Sequence, residues 1–246
     1  MSDGIYAALS GAIGQARSLD VVANNVANVN TVGFRADRVA FREALSQAGT
    51  DGPAPDALRF SQISQIATSD APGALEQTGG SLDLALSGDG FFVVRGAQGD
   101  RYTRAGNFVT DADGVLRTRE GLAVMGRPED PSQPEPVEIR IPRSTREISI
   151  GVDGTVRADG TSVGQLRLVN LTEAQKEGRT LFTAQRAEDT ADTEVQQGYL
   201  EGSNINAVAG LIEMITVTRS FEAFQKVIDT FRQLDNRSAR DLAGRG

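Results

Sequence analysis

At 246 residues the chain is long enough to bury a core without crosslinks or metals. Its 25 basic and 33 acidic residues leave a formal charge of -8, which argues against nucleic acid as a partner, because phosphate binding draws on a basic surplus. Cysteine and histidine are both absent, which removes disulfide frameworks, thiolate metal sites and the commonest general base, leaving carboxylate, Lys, Tyr or Ser for any catalysis.

The opening residues Met1 to Tyr6 lack a basic stretch followed by an apolar one, and no later segment approaches the ~20 apolar residues of a membrane span. Neither a cleaved export signal nor membrane insertion is therefore expected. From Ile5 the spacing predicts a helix. Ile5, Leu9, Ala12, Ala16, Leu19, Ala23, Val26 and Asn30 follow at alternating steps of four and three, the heptad seam of a packed helix. Three of the eight are Ala, which lets helices approach closely, while Ile13, Val22 and Val29 lie on a neighbouring stripe that a single partner would leave unburied. Four Asn among seven residues (Asn24, Asn25, Asn28, Asn30) weaken the helix, and Gly33 is a natural residue to follow its end, so the helix is expected to stop near Asn30. The amides read equally as a frayed helix end or as hydrogen-bonding groups across an interface. Arg35, Arg38 and Arg42, at helical spacing, read as a solvated or subunit-facing edge.

Residues 36–74 are expected to be an extended linker, with a flexible connection at Gly49 to Pro55. Residues 75–198 read as a central antiparallel β domain. Asp89-Gly90, Asp113-Gly114, Asp153-Gly154 and Asp159-Gly160 are favourable hairpin-turn pairs. Leu82, Leu84 and Leu86 alternate, Phe91-Phe92-Val93-Val94 is a buried-strand run, and Ile139 and Ile141 with Ile148 and Ile150 bracket a further strand pair. In residues 199–246, Ser203 or Asn204 can cap a helix running from Ile205 to about Leu242. Val208, Leu211, Ile212, Ile215, Phe221, Phe224, Ile228, Phe231 and Leu234 give that helix a broad apolar face, longer than the head helix can cover.

Candidate chemistry is thin, and no catalytic, cofactor or metal residue is assigned. Asp111-Ala112-Asp113-Gly114 begins like a calcium loop but lacks its remaining ligands, so a hairpin turn is the stronger reading. Gly79-Gly80 and Gly88-Asp89-Gly90 could approach a phosphate, but no Lys-Ser/Thr follows. Glu76, Asp83 and Asp89 could pair as in a glycosidase, a signal any acidic surface offers.

Four stretches carry a resemblance. They are Leu19 to Arg35 (LDVVANNVANVNTVGFR), Thr78 to Val93 (TGGSLDLALSGDGFFV), Tyr102 to Phe108 (YTRAGNF) and Gly198 to Asn206 (GYLEGSNIN). Together they span nearly the whole chain, and in this order they resemble the flagellar rod and hook family. The short length and the opening Ile5 to Gly11 (IYAALSG) are more similar to the family's proximal rod members than to its distal ones, and the middle region is too small for a hook protein's extra domain.

The resemblance implies an α+β subunit whose terminal helices pack together as an inner helical layer, with the β domain outside. It implies a mechanical, non-enzymatic role in the basal body, across the periplasm, after export through the flagellar type III apparatus without a cleaved signal. Its partners would be other copies and neighbouring rod proteins. Ile5, Leu9, Leu19, Val22 and Val26 of the head, with Leu211, Ile215, Phe221, Phe224 and Ile228 of the tail, would pack between subunits. Asn24, Asn25, Asn28 and Asn30 would hydrogen-bond across those contacts, and Gly33 would let the chain turn outward. The rival classes are a glycan-processing enzyme and a monomeric binding module.

Overall fold

The computed structural model describes residues 2–45, 59–128, 135–190 and 192–243. The connection expected at Gly49 to Pro55 lies outside them. The chain forms two units, each described by itself: a helical unit of 1–27, 37–69 and 205–246, and a β unit of 28–36 and 70–204.

Helix α1 runs over Ser2–Ala27, three residues short of the expected stop. The reason is local: the Thr31 hydroxyl donates to Asn28 Oδ1 and the Thr31 N–H to the Asn28 carbonyl, both at 3.1 Å, so a turn outcompetes a further helical step. Helix α2 runs over Ala207–Ala243, roughly 55 Å at 1.5 Å per residue. Its cap is Asn206, whose Oδ1 accepts from the Ala209 N–H at 3.0 Å, and neither expected residue takes that place. Asn204 is engaged elsewhere, its amide accepting from the Ala36 N–H and donating to the Ala71 carbonyl, each at 2.8 Å. Within α2, Thr216, Thr218, Ser220 and Thr230 donate to carbonyls one turn back, so their hydroxyls are satisfied without a partner from outside the helix.

The two helices are antiparallel: the Phe231 ring lies over Gly4, the Phe224 ring over Gly11, and Val26 over Gly210. A Cβ on Gly11 would stand 2.5 Å from the Phe224 ring. Beside them, β1 (Asp37–Leu45) and β2 (Arg59–Thr68) form an antiparallel pair, where an extended linker was expected. A bulge between Ala40 and Phe41 shifts the backbone register, from Val39 opposite Ile66 to Phe41 opposite Ile63.

The β unit begins with β3 (Leu75–Gln77), β4 (Leu84–Ser87), β5 (Phe91–Gly96), β6 (Gly99–Thr103), β7 (Val109–Thr110) and β8 (Leu116–Arg117). It continues through β9 (Ala123–Gly126), β10 (Val137–Glu138), β11 (Ile148–Ile150), β12 (Thr155–Ala158), β13 (Thr161–Gln165) and β14 (Leu168–Thr172). The last strands are β15 (Gln175–Glu177), β16 (Leu181–Thr183), β17 (Arg186–Asp189), β18 (Glu194–Gln197) and β19 (Tyr199–Glu201). The main sheet has the order β15-β16-β6-β5-β9-β8-β7, with β10 on β9, β14 on β5 and β17 on β14. A meander of β11-β12-β13 and the pairs β18-β4 and β19-β3 complete it, all antiparallel.

Leu84, Phe92, Val94, Leu116, Val124, Val156 and Leu166 form the centre of one closed core, and Phe92 and Phe108 meet edge to face at 5.1 Å. Val93, Met125 and Val169 centre a smaller cluster. Three of the four Asp-Gly pairs sit in turns at positive-φ glycines: Gly114, Gly154 and Gly160. Asp89-Gly90 does not make a hairpin, because β4 pairs with β18 while β5 pairs with β6; the positive φ there belongs to Gly88. The isoleucine pairs do not face each other as strand partners either. Strand β10, just before Ile139, pairs with β9, and β11 with β12, although Ile139, Ile141 and Ile150 all enter the same core.

Candidate assembly surfaces and a buried charge cluster

The helical unit sorts its apolar residues into two stripes. Along α2, Gly210, Met214, Val217, Phe221, Phe224, Ile228 and Phe231 recur at steps of four and three, and all are half-buried. This is the seam against α1, where Phe224 and Phe231 cover glycines. One step round the helix, Val208, Leu211, Ile212 and Ile215 form an i, i+3, i+4, i+7 stripe that faces solvent, with Leu211 50% and Ile215 56% exposed. On α1 the buried stripe is Ala8, Ala12, Ser18 and Val22, and the exposed one is Tyr6, Leu9 and Ile13.

The residues expected between subunits therefore divide. Leu9, Leu211 and Ile215 are exposed. Ile5, Leu19, Val26, Phe221, Phe224 and Ile228 are half-buried, and Val22 is buried within the chain. Tyr6 belongs with the exposed set and went unread, because its phenol counts as neither apolar nor polar in a seam pattern. The glycines Gly4 and Gly11 went unread as seam positions because a residue without a side chain leaves no apolar mark on the sequence.

The asparagines divide too. Asn25 Nδ2 donates to the Asp37 carbonyl at 2.8 Å and its Oδ1 accepts from the Asp37 N–H at 3.0 Å, a two-point tie inside the helical unit. Asn28 is buried and holds the Thr31 turn. Asn24 and Asn30 are exposed. Gly33 has a φ of 68°, and a Cβ there would stand 2.3 Å from the Ala105 backbone nitrogen, so both conformation and space demand glycine.

In the β unit, three charged side chains from distant stretches meet out of solvent: Arg35 is 4% exposed, Arg104 2% and Glu201 1%. Glu201 Oε1 accepts from Arg35 Nη2 at 3.0 Å and from the Gly73 N–H at 3.1 Å, and its Oε2 accepts from Arg104 Nη1 at 3.3 Å. Arg35 Nη1 also donates to the Asp70 carbonyl, and Arg104 Nη2 to the Gly88 carbonyl at 2.6 Å. Arg104 lies over the Phe91 ring at 4.9 Å. Burial pulls the Arg104 guanidinium below its ordinary range, Arg35 adds to that pull, and Glu201 and Asp89 oppose it.

Arg35 is thus not the solvated edge its spacing with Arg38 and Arg42 suggested, and β1 puts those two on a strand. Lys176 closes over this segment, its Nζ 3.8 Å from the Phe34 ring centre and donating to the Arg35 carbonyl at 2.7 Å. Arg104 and Glu201 stand inside stretches read only for their similarity, so nothing in periodicity could have paired them.

The remaining carboxylates do local work. Asp111, at the head of the calcium-like stretch, accepts from the Asp113 and Val115 N–H groups and from Arg117 Nε, which holds its carboxyl at about 2. Asp83 accepts from the Thr78 hydroxyl at 2.6 Å, closing its own turn.

A family model described as Flagella basal body rod protein matches residues 5–35. One for the Flagellar hook protein FlgE/F/G D1 domain matches 85–158, and one for the Flagellar basal body rod FlgEFG protein C-terminal matches 196–241. The chain is 34% identical to the flagellar basal-body rod protein FlgF of Caulobacter vibrioides over 253 aligned residues, covering 100% of this chain and 99% of that one. It is 34% identical to the flagellar basal-body rod protein FlgG of Bacillus subtilis, covering 92% and 94%. A FlgF of Mesorhizobium japonicum is 32% identical, with 90% of each chain covered.

Proposed function

Because this chain belongs to the flagellar basal-body rod protein family, we propose that it stands in the proximal part of the rod and packs there through the exposed apolar stripes of α1 and α2. It is a structural subunit of the flagellar basal body. The observation that carries the packing proposal is the stripe Val208, Leu211, Ile212 and Ile215, with Tyr6, Leu9 and Ile13 on the other helix. Large side chains at that spacing on an already paired helix have no further role inside the pair, and water is a poor neighbour for them. Covering the stripes with neighbouring copies or other rod proteins removes that cost. Ile5, Leu19, Val26, Phe221, Phe224 and Ile228, half-buried at the seam, would extend those contacts, with Asn24 and Asn30 as the exposed amides able to bond across them.

The proximal position is supported by the short length and by the opening Ile5 to Gly11, which resembles that of the family's proximal members. A rod subunit works mechanically, by transmitting torque through its contacts, and needs no catalytic group. Export through the flagellar type III apparatus belongs to the same proposal. It rests on membership of the family alone; no helix among the described residues is long and apolar enough to cross a membrane.

Replacing Ile215, exposed and outside the seam, tests the packing. Ile215→Asp is expected to keep the melting temperature of the purified chain within a few degrees of the parent, since exposed substitutions usually fall within about 0.5 kcal/mol, while abolishing swimming of the complemented deletion strain. Normal swimming with Ile215→Asp and with Leu211→Asp alike would overturn it.

A further inference from the structure

Arg35, Gly88, Arg104 and Glu201 come one from each of the four stretches that carry the family resemblance; Arg35 and Arg104 meet at the Glu201 carboxylate, and Arg104 links it to the Gly88 carbonyl. We propose that Glu201 is a positioning residue: held between Arg35 and Arg104, it fixes the course of the segment that follows α1 and of the segment that precedes α2, within the β unit. Three observations carry this.

The first is what the carboxylate ties together. Its Oε1 holds Arg35 and the Gly73 N–H, its Oε2 holds Arg104, and the backbone carbonyl of the same residue accepts from the Gly33 N–H at 2.7 Å. Arg35 reaches on to the Asp70 carbonyl and Arg104 to the Gly88 carbonyl. Residues 33–35, 70–73, 88, 104 and 201 are therefore pinned to one point, and Asn204 repeats the pattern on Ala36 and Ala71.

The second is how poorly the cluster serves stability alone. It buries two cations against one carboxylate, and Arg35 Nε and Arg104 Nε have no hydrogen-bond partner among the described residues. Desolvating such a group offsets most of what its ion pairs contribute, and well-packed apolar side chains of similar volume stabilise as well or better. Directional bonds supply what apolar packing lacks, a unique register.

The third is the fit around Gly33, where the Ala105 nitrogen leaves no room for a Cβ, so this course of the chain has no slack to absorb a shift. The consequence for the rod rests on the subunit reading above. In a rod subunit, a β unit whose segments at 33–35 and 201–204 wander would offer neighbouring copies no fixed surface.

The test uses the full chain and three variants. Glu201→Gln leaves two buried guanidinium groups uncompensated and is expected to lower the melting temperature sharply. The triple variant Arg35→Met, Arg104→Met, Glu201→Leu removes the charges together and is expected to melt near the parent temperature. In it, hydrogen exchange at the Gly33 and Gly202 amides should quicken at least ~10-fold, the mark of local opening. Both amides keep their backbone acceptors, the Glu201 and Ala74 carbonyls, so loss of the side chain alone does not free them. Glu201→Asp keeps the charge and, by restoring the bonds at a shorter reach, should return exchange to within ~3-fold of the parent. It also serves if the triple variant fails to fold, since slow exchange in Glu201→Asp with fast exchange in folded Glu201→Gln makes the same case.

Parent-like exchange at Gly33 and Gly202 in a folded variant lacking the carboxylate overturns the proposal, whatever the cells do. Fast exchange with normal swimming overturns its consequence for the rod. A deletion strain that swims without the chain overturns the subunit reading instead.

Discussion

The two units solve the burial problem in opposite ways. The β unit takes Leu84, Phe92, Val94, Leu116 and Val156 wholly out of water through its own strands, whereas the helical unit leaves Leu9, Ile13, Leu211, Ile212 and Ile215 facing solvent. One region closes its core when the chain folds, and the other keeps apolar surface in water. The difference teaches where substitutions act: in the β unit on the folding of one molecule and, on the packing proposed above, in the outer stripes on what that molecule joins.

The largest effect should come from breaking the finished side. Phe92→Ala, at the centre of the closed core, is expected to cost about 3–5 kcal/mol, read as a drop in the denaturation midpoint of the purified chain. A cost no greater than that of Ile215→Asp would erase the contrast between the two regions.

Gly33→Ala is next. The φ of 68° and the approach of Ala105 should together cost about 2–3 kcal/mol in the same assay, with Gly79→Ala, at similar φ in open space, costing less. Equal losses at the two glycines would assign the effect to φ alone.

A smaller loss, about 1–2 kcal/mol, is expected for Asn25→Ala, which deletes both bonds to Asp37 inside the helical unit. Exchange of the Asp37 amide is the direct readout, and it should quicken while the β unit's amides do not change. No change at Asp37 would show that the tie to Asn25 does not hold this end of β1.

The smallest effect concerns acid. Arg117 and two backbone N–H groups hold the Asp111 carboxyl at about 2 against an ordinary 3.8, so the folded state binds this proton more weakly than the unfolded chain does. The stabilisation is present above 3.8 and is lost as pH falls from there towards 2. Asp111→Asn should flatten that part of the acid limb and leave stability differences between pH 5 and 8 unchanged. An unaltered acid limb would mean that the exposed pair contributes nothing.

Both helices, the antiparallel β class and three of the four Asp-Gly turns were legible, because periodicity and turn chemistry are local. What the sequence hid was partner choice. Asn204 carries a cap's side chain but spends it on Ala36 and Ala71, leaving the cap to Asn206. The segment read as a linker closes into β1 and β2, strands whose backbone partners, such as Val39 and Ile66, lie more than 20 residues apart in the chain. The expected heptad seam ran through Leu9, Ala12 and Leu19, whereas the buried stripe takes Ala8, Ala12 and Val22 and leaves Leu9 outside, since rings from α2 need shallow ground to sit on. The Arg35, Arg104 and Glu201 cluster was beyond reach for the same reason: each charge looks solvated until the fold delivers the other two.

Those shallow places have one more consequence. Two heads laid together would set Gly4 and Gly11 against backbone and leave a void, and two tails would set Phe224 and Phe231 ring upon ring. Head and tail of one chain therefore find each other by shape, ring on glycine, without a code of charges.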